Sequence, residues 1–177
     1  MSSVAAFAYL IGHDMGFGST RLRRLVLAGQ MHDIGKIGLP PHILAKPGKL
    51  TDEEWAAVKL HPTKGWEIVG RAKTLKDIAS IVRHHHEQFD GGGYPDGLAA
   101  DSIPLEARII SVADTFDALT SERPYRPAMS VVDAEAELLR VSGSQLDPNC
   151  VDTFLKLLRS GKVSLKRHRE QMTEAVA

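Results

Sequence analysis

Hydrophobic residues recur at helical spacing along most of this chain, and segments rich in glycine or proline separate the periodic stretches. The spacing between Phe7 and Met15 predicts a first helix, which the glycines that follow should end. A second helix should begin at a cap provided by Ser19 or Thr20 and continue into Asp33. The first part of the chain is therefore expected to be a helical hairpin.

The next segments carry clear boundary residues. Residues 35–49 contain several prolines and are expected to form a loop. Thr51–Glu54 has the pattern of a capping box, which predicts a helix toward Leu60. Pro62 suits the first turn of another helix, so His61 should lie at the start of that helix.

The second half of the sequence repeats this alternation of helices and loops. The expected elements are a helix from about Leu75 to Glu87, a glycine-rich loop over Asp90–Gly97, a long helix opened by Pro104, and helices over about Val131–Val141 and Pro148–Leu158. No alternating strand pattern, internal repeat or linker is visible in the sequence. The prediction is an all-α, single-domain helical bundle over residues 1–160, followed by a basic helix or tail over 161–177.

Composition narrows the function classes. The chain has 177 residues, of which 43% are hydrophobic, and its 22 basic and 22 acidic residues give a formal net charge of zero. This balance argues against binding of nucleic acid through a large basic surface. Cys150 is the only cysteine, which excludes an internal disulfide and favours the cytoplasm. No apolar run approaches the ~20 residues that a membrane span needs.

Histidine is the unusual component, because the chain has 8 histidines and several of them cluster. On three predicted helices, histidine and aspartate side chains continue the hydrophobic face of the helix. A buried carboxylate without a partner is costly, so a bound cation is expected to compensate. The candidate metal ligands are His32, Asp33, His61, His85, His86 and Asp114.

These ligand types suit a divalent iron, manganese or zinc ion. A bridging carboxylate with histidines on either side fits two ions better than one, and two adjacent ions form a known hydrolytic design. The competing interpretation is structural, because a single histidine on an apolar face is usually a core residue with a satisfied hydrogen bond. His84 is a weak candidate ligand, and His13, His42 and His168 are expected at the surface or in loops.

Two strings of the sequence resemble a known family. His32–Gly38, with the sequence HDIGKIG, resembles the signature of the HD superfamily of metal-dependent phosphohydrolases. His85–Gly97, with the sequence HHEQFDGGGYPDG, resembles the signature of the HD-GYP subgroup of that superfamily. Lys46–Leu50 and residues 113–126 are also similar to that subgroup, so the resemblance covers nearly the whole chain.

The resemblance implies a helical bundle of the HD-domain type that hydrolyses cyclic di-GMP, a bacterial second messenger, or the mixed cyclic GMP–AMP dinucleotide. It implies two divalent metal ions, iron or manganese before other metals, on the candidate ligands, with Asp33 as the bridging carboxylate. A metal-bridging hydroxide would then yield the linear dinucleotide, and further cleavage would yield GMP. Lys36 matches a family lysine near the scissile phosphate. The implied substrate-binding residues are Gly93, Tyr94, Pro95, Arg123 and Arg126.

The sequence departs from the family at its start. Family members usually have an upstream helix with a further histidine or glutamate ligand, whereas Ser2 and Ser3 occupy the corresponding region here. The expectation is therefore a shortened first helix and two metal ions rather than three. A sensor or receiver domain that usually precedes this domain is not found in the chain.

Two alternatives stay open at this point. The domain could be a catalytically weak or inactive module that binds cyclic dinucleotide or partner proteins such as diguanylate cyclases or sensor domains. It could instead be an HD hydrolase of ordinary nucleotides. A homodimer could form through the C-terminal helices or through the exposed face of the first helix.

Overall fold

The computed structural model describes residues 2–122 and 127–163, and within these ranges the chain is all-α. The only extended pairing there is an isolated bridge between Ser142 and Leu146. Short 3-10 helices cover Ile34–Gly38 and Ala100–Ser102. The α-helices are α1 (Ser3–Asp14), α2 (Ser19–Met31), α3 (Pro41–Leu44), α4 (Asp52–Val58), α5 (His61–Gly70), α6 (Lys76–His84), α7 (Leu105–Thr120), α8 (Val131–Val141) and α9 (Pro148–Arg159).

Three aromatic side chains join the helices at the centre of the bundle. Phe7 of α1, Phe116 of α7 and Phe154 of α9 are almost completely buried. The ring centroid of Phe7 lies 5.5 Å from that of Phe116 and 5.7 Å from that of Phe154, and the last two are 4.9 Å apart. Edge-to-face contacts of this kind stabilise a core beyond the area that they bury. The predicted helical bundle is thus confirmed, with α1 and α7 as its central helices.

Glycines allow the helices near the metal-ligand candidates to pack closely. A Cβ atom on Gly29 of α2 would lie 3.0 Å from the Cα atom of Ala5 in α1. A Cβ atom on Gly65 of α5 would lie 2.9 Å from Cγ1 of Val82 in α6. A Cβ atom at Gly65 would force Val82 to move, and one at Gly29 would leave almost no clearance from the backbone of α1. Glycine therefore allows α2 to pack closely on α1 and α5 to pack closely on α6.

Several predicted boundaries are confirmed. Thr51 Oγ1 accepts a hydrogen bond from the Glu54 amide at 3.3 Å, and Glu54 Oε2 accepts one from the Thr51 amide at 2.7 Å. This is the predicted capping box, and it begins α4. His61 is the first residue of α5, as the position of Pro62 predicted. Among the described residues, no helix combines the length and the apolar character that crossing a bilayer requires.

Four details of the sequence prediction are wrong. Gly18, rather than Ser19 or Thr20, is the N-cap of α2. The helix α2 ends at Met31 instead of reaching Asp33, and α6 ends at His84 instead of Glu87. The predicted loop over 35–49 contains most of a 3-10 helix and the short helix α3, which begins at Pro41 because the fixed φ of proline suits a first helical turn. The basic tail predicted for 161–177 lies mostly outside the described residues.

Candidate metal centre

Three histidines of the site lie just beyond the ends of α2, α4 and α6. The last carbonyl groups of a helix have no partner within that helix. In each case the histidine Nδ1 lies within hydrogen-bond distance of the carbonyl three residues earlier: His32 to Gly29 at 2.8 Å, His61 to Val58 at 2.8 Å and His85 to Val82 at 2.7 Å. An Nδ1–H that donates to a carbonyl leaves Nε2 with a free lone pair, the arrangement of a metal-ligating histidine.

The Nε2 atoms converge with a carboxylate. One ligand-type atom from each of Asp33, His61, His85 and His86 lies within 4.8 Å of all the others. The Nε2 atoms of His61 and His85 are only 3.3 Å apart. If Nδ1 carries the proton on both rings, these nitrogens are both acceptors, and their lone pairs require a proton or a cation between them. In that case neither histidine has both ring nitrogens satisfied by hydrogen bonds within the protein, as a purely structural core histidine would.

Asp33 lies between this group and a second one. Its Oδ1 atom is 3.3 Å from Nε2 of His61, whereas its Oδ2 atom is 3.5 Å from Nε2 of His32. Nε2 of His32 is also 3.7 Å from Oδ1 of Asp114, on α7. The structure therefore brings all the predicted ligand residues together, with the two oxygens of one carboxylate facing different neighbours.

The chemistry of this group fits a divalent cation. Asp33 Oδ1 is buried and has no hydrogen-bond partner among the residues that the structure describes. An unsatisfied buried carboxylate oxygen is costly, and a bound ion removes that cost. Imidazole nitrogens and carboxylate oxygens are the ligands of zinc, iron and manganese sites. The residues present therefore fit the metal centre that the sequence predicts.

Electrostatics keep the ligand atoms in the forms that bind metals. Burial would raise the pKa of Asp33, but His61, His32 and Lys36 together lower it far below its ordinary value. Burial lowers the pKa of His85 and, with the charge of His61, lowers that of His86 to about 3. Asp33 is therefore ionised and both histidines are neutral near neutral pH.

His32 differs from His85 and His86, because its pKa is raised rather than lowered. Burial alone would lower the pKa of His32, but its interaction with Asp114 and the charge of Asp33 raise it above the ordinary value. Burial would raise the pKa of Asp114, and His32 lowers it. The carboxylates thus create a local negative field in which a cation is favourable.

Lys36 projects from the 3-10 helix that follows α2. Its Nζ atom lies 2.6 Å from Oδ2 of Asp33, and both side chains are partly exposed. The adjoining Gly35 is pressed against α5, since a Cβ atom there would collide with the carbonyl oxygen of His61 and would lie 2.6 Å from the amide nitrogen of Gly65. Sequence reasoning missed Gly35, although a glycine two residues after the His-Asp pair is the available indication of such a close approach.

The glycine-rich loop folds back over the histidines. A Cβ atom on Gly93 would lie 2.5 Å from Cα of Glu87, so only glycine fits there. The ring of Tyr94 stacks on that of His86 at 5.0 Å, and its amide donates to the His86 carbonyl at 3.2 Å. Pro95 follows through a cis peptide bond. The loop predicted to shape the substrate pocket therefore contacts a candidate ligand directly.

Glu87 holds this loop in place and was not predicted. Its carboxylate is buried and accepts hydrogen bonds from the amides of Asp96 at 2.7 Å and Leu98 at 3.1 Å. His84 contacts the same loop, with Nε2 2.9 Å from Oδ2 of Asp96. His84 thus belongs with Glu87 and Asp96 to a second group of ligand-type side chains, separate from the group around Asp33.

A cleft of about 640 Å³ opens directly over the candidate ligands. Asp33, His61, His86 and Asp114 line it together with Lys36, Tyr94 and Trp55. Gly93 and Pro95, which flank Tyr94 in the sequence, are not among the lining residues. Burial, followed by the charges of Asp33 and Asp114, raises the pKa of Tyr94, which keeps its hydroxyl protonated as a donor. The predicted phosphate- or guanine-binding residues Arg123 and Arg126 lie outside the described residues.

The chain is similar to a known protein family and to characterised proteins. Residues 1–150 match the model of a family described as HD domain. The chain is 41% identical over 179 residues to the cyclic di-GMP phosphodiesterase response regulator RpfG of Xanthomonas campestris pv. campestris (strain 8004), covering 100% of this chain and 46% of that protein. It is 39% identical over 165 residues to a cyclic di-GMP phosphodiesterase of Thermotoga maritima, covering 92% of this chain and 45% of that protein.

The fold is also similar to a solved structure. The crystal structure of a cyclic GMP-AMP-specific phosphodiesterase of V. cholerae superposes with a TM-score of 0.73 at 17% sequence identity, covering 96% of this chain and 47% of that chain. At this identity the similarity bears on the fold alone. The chain spans less than half the length of the curated relatives described above.

Proposed function

The chain belongs to the HD domain family, and from this membership we propose that it is a metal-dependent phosphodiesterase that hydrolyses cyclic di-GMP to the linear dinucleotide. The observation that carries the proposal is the buried, unpartnered Oδ1 atom of Asp33 at the meeting point of the histidine Nε2 atoms. A bound cation would satisfy that oxygen, which otherwise faces Nε2 of His61 at 3.3 Å. The cleft above it gives a phosphodiester access to such a cation.

The proposed metal centre would hold two divalent ions, iron or manganese. The residues that would hold them are Asp33, the three histidines grouped with it (His61, His85 and His86), and the neighbouring pair His32 and Asp114. Bound divalent ions supply Lewis acidity toward phosphate oxygens and lower the pKa of water at the site. The division of the ligands around one carboxylate supports two ions better than one.

The chain's own residues complete the site around the phosphodiester. The ammonium of Lys36, on the cleft wall, provides positive charge where phosphate oxygens become more negative during hydrolysis. Its 2.6 Å contact with Asp33 keeps that charge at the edge of the ligand group. The protonated hydroxyl of Tyr94, which also lines the cleft, can donate a hydrogen bond to the substrate, and the stacking of its ring on His86 fixes its position.

The substrate is inferred from the relatives. Those described above are named cyclic di-GMP phosphodiesterases, and the structural neighbour is named for cyclic GMP-AMP. We therefore propose cyclic di-GMP as the substrate and the mixed dinucleotide as a second one, with GMP as a slower end product. The proposal keeps the cytoplasmic location, which rests on the single cysteine of the sequence.

A substrate panel tests this function. The purified chain, supplied with Mn²⁺ or anaerobic Fe²⁺, is incubated separately with cyclic di-GMP, 3′3′-cyclic GMP-AMP and ATP, and products are separated by liquid chromatography. We expect the linear dinucleotide from cyclic di-GMP and no turnover of ATP. Turnover of ATP alone would favour the ordinary-nucleotide hydrolase. Binding of cyclic di-GMP without turnover under either metal would favour the interaction module, whose partners would include diguanylate cyclases or sensor domains.

A further inference from the structure

Trp55 is an exposed aromatic side chain on the wall of the cleft. It is 46% accessible, although large aromatic residues are mostly buried in folded proteins. It lines the same cleft as Asp33 and Lys36. Its ring centroid lies 6.4 Å from that of Tyr94, with the two rings nearly perpendicular at 80°. An aromatic surface is thus available to a ligand beside the candidate metal centre.

The position of Trp55 is fixed relative to the metal centre by α4. The capping box of Thr51 and Glu54 begins this helix, and Glu54 is also paired with Lys46 at 2.6 Å. Val58 follows Trp55 by three residues, which is ~4.5 Å along a helix axis. Val58 also lines the cleft, and its carbonyl accepts the Nδ1 hydrogen bond of His61. The indole and a candidate metal ligand are therefore connected through a single rigid turn.

The other tryptophan provides an internal comparison. Trp66 of α5 is 43% accessible, nearly the same as Trp55, but it does not line the cleft. The guanidinium of Arg83 lies 5.2 Å from the Trp66 ring centroid. Within the described ranges, no cation lies over the ring of Trp55 in the same way. Trp66 thus has a cation near its ring, whereas Trp55 has Tyr94 beside it and lines the cleft.

We propose that Trp55, with Tyr94 at its edge, forms an aromatic subsite that receives one purine base of the cyclic dinucleotide. This inference rests on the proposed function, which places the scissile phosphate near Asp33 and Lys36. A cyclic dinucleotide has two bases close to its phosphates, so one base must lie against the wall beside the metal centre. Stacking on an indole face stabilises any base, because every base presents a π-surface.

Two single-tryptophan proteins test the subsite, because the chain has only 2 tryptophans. Trp66→Phe retains Trp55 as the emitter, and Trp55→Phe retains Trp66. Each full-length protein, loaded with Mn²⁺, is titrated with a hydrolysis-resistant phosphorothioate analogue of cyclic di-GMP. We expect saturable quenching of the Trp55 emission and no change in the Trp66 emission.

Kinetics with cyclic di-GMP provide the second measurement. Trp55→Leu should raise KM about tenfold, the scale of one lost base–aromatic stack, and leave kcat unchanged. Trp55→Phe should restore most of the affinity, and Trp66→Leu should change neither constant. Both tryptophans are exposed, so the matched variants compare equal losses of surface aromatic area.

The outcomes separate the subsite from the function. Normal hydrolysis with an unchanged KM for Trp55→Leu and no quenching of Trp55 would overturn the subsite and leave the phosphodiesterase in place. Quenching of Trp55 without hydrolysis of any cyclic dinucleotide would overturn the enzyme and support the subsite. Absence of both quenching and hydrolysis would overturn both.

Discussion

The Oδ1 atom of Asp33 lies 3.3 Å from Nε2 of His61, and yet this buried oxygen has no hydrogen-bond partner in the part of the chain that the structure describes. If Nδ1 of His61 carries the proton toward the carbonyl of Val58, 2.8 Å away, Nε2 presents a lone pair to this oxygen. The two facing atoms are then both acceptors. This relationship distinguishes a prepared cation site from an ordinary buried ion pair.

Removing the charge of Asp33 should remove the metal. Asp33→Asn keeps the shape of the side chain but replaces one carboxylate oxygen with an amide nitrogen. That nitrogen is a hydrogen-bond donor and cannot ligate a cation, and the side chain also loses its negative charge. We expect bound metal per chain, measured by elemental analysis after dialysis, to fall to background. Asp152→Asn on the exposed side of α9 is the matched control and should retain metal. Full metal content in Asp33→Asn would contradict the proposed centre.

The neighbouring histidines at the end of α6 should behave differently. His85 is buried with its Nε2 3.3 Å from that of His61, whereas His84 is engaged with Asp96 in the adjoining loop. His85→Ala should weaken metal binding by at least about tenfold, because even residues that only orient ligands have effects of that size. His84→Ala should leave metal affinity unchanged in a competition assay with a chelator. Equal losses in the two variants would argue against this assignment of ligands.

A methyl group on Gly93 should displace the loop. The added Cβ atom would meet the backbone of Glu87, which cannot move without moving the segment that carries His86. We expect Gly93→Ala to lower the free energy of unfolding by about 1–3 kcal/mol, the usual cost of overpacking. We also expect it to reduce the turnover of cyclic di-GMP, because the loop contacts His86.

Gly92→Ala is the control for that prediction. The new Cβ atom there would meet only side-chain atoms of Gln88 and Asp90, at 3.1 and 3.2 Å, and those side chains can rotate away. Urea unfolding of both variants provides the comparison. A Gly93→Ala protein as stable as Gly92→Ala would show that the loop adapts without strain.

Stability without metal should fall as the pH decreases from about 6.5. Unfolded histidines bind protons below that pH, whereas burial lowers the pKa of folded His85 and, with His61, that of His86 to about 3. The unfolded state then binds more protons, so folding becomes less favourable. His32 opposes the trend, because the carboxylates of Asp33 and Asp114 outweigh burial and raise its pKa.

Because the pKa values of two histidines are lowered and that of one is raised, decreasing the pH in this range should cause a net loss of stability. Urea midpoints of the EDTA-treated protein, measured above and below about pH 6.5, provide the test. His86→Asn should flatten the dependence, and the exposed His42→Asn should not. A midpoint that rises as the pH falls would contradict these pKa directions.

Local periodicity in the sequence predicted the helices. The set of candidate ligands rested also on the resemblance to the HD-GYP signatures, because periodicity does not show which helices meet. Periodicity placed His32 and His85 inside their helices, which is wrong. Helical spacing cannot show that a histidine ring turns back to a terminal carbonyl and ends the helix, as the rings of His32 and His85 do here. That capping determines which nitrogen faces the metal, and it becomes visible only when the backbone is placed.

Other features depend on contacts between distant segments. The collision that keeps Gly35 a glycine involves the carbonyl of His61, on another helix. The two amides that Glu87 binds belong to the far side of the glycine-rich loop. The place of Trp55 on the cleft wall follows from the direction of α4. None of these contacts has a periodic pattern in the sequence, so each could be recognised only from the folded structure.

The most direct test of the account is the metal dependence of cyclic di-GMP hydrolysis, followed by liquid chromatography as Mn²⁺ is added to metal-depleted protein. The account predicts that the linear dinucleotide appears only with metal, that its rate of formation saturates, and that Asp33→Asn stays inactive at every Mn²⁺ concentration. Turnover that persists in EDTA, or an Asp33→Asn protein that hydrolyses the substrate as the unaltered chain does, would contradict a metal-dependent phosphodiesterase built around Asp33.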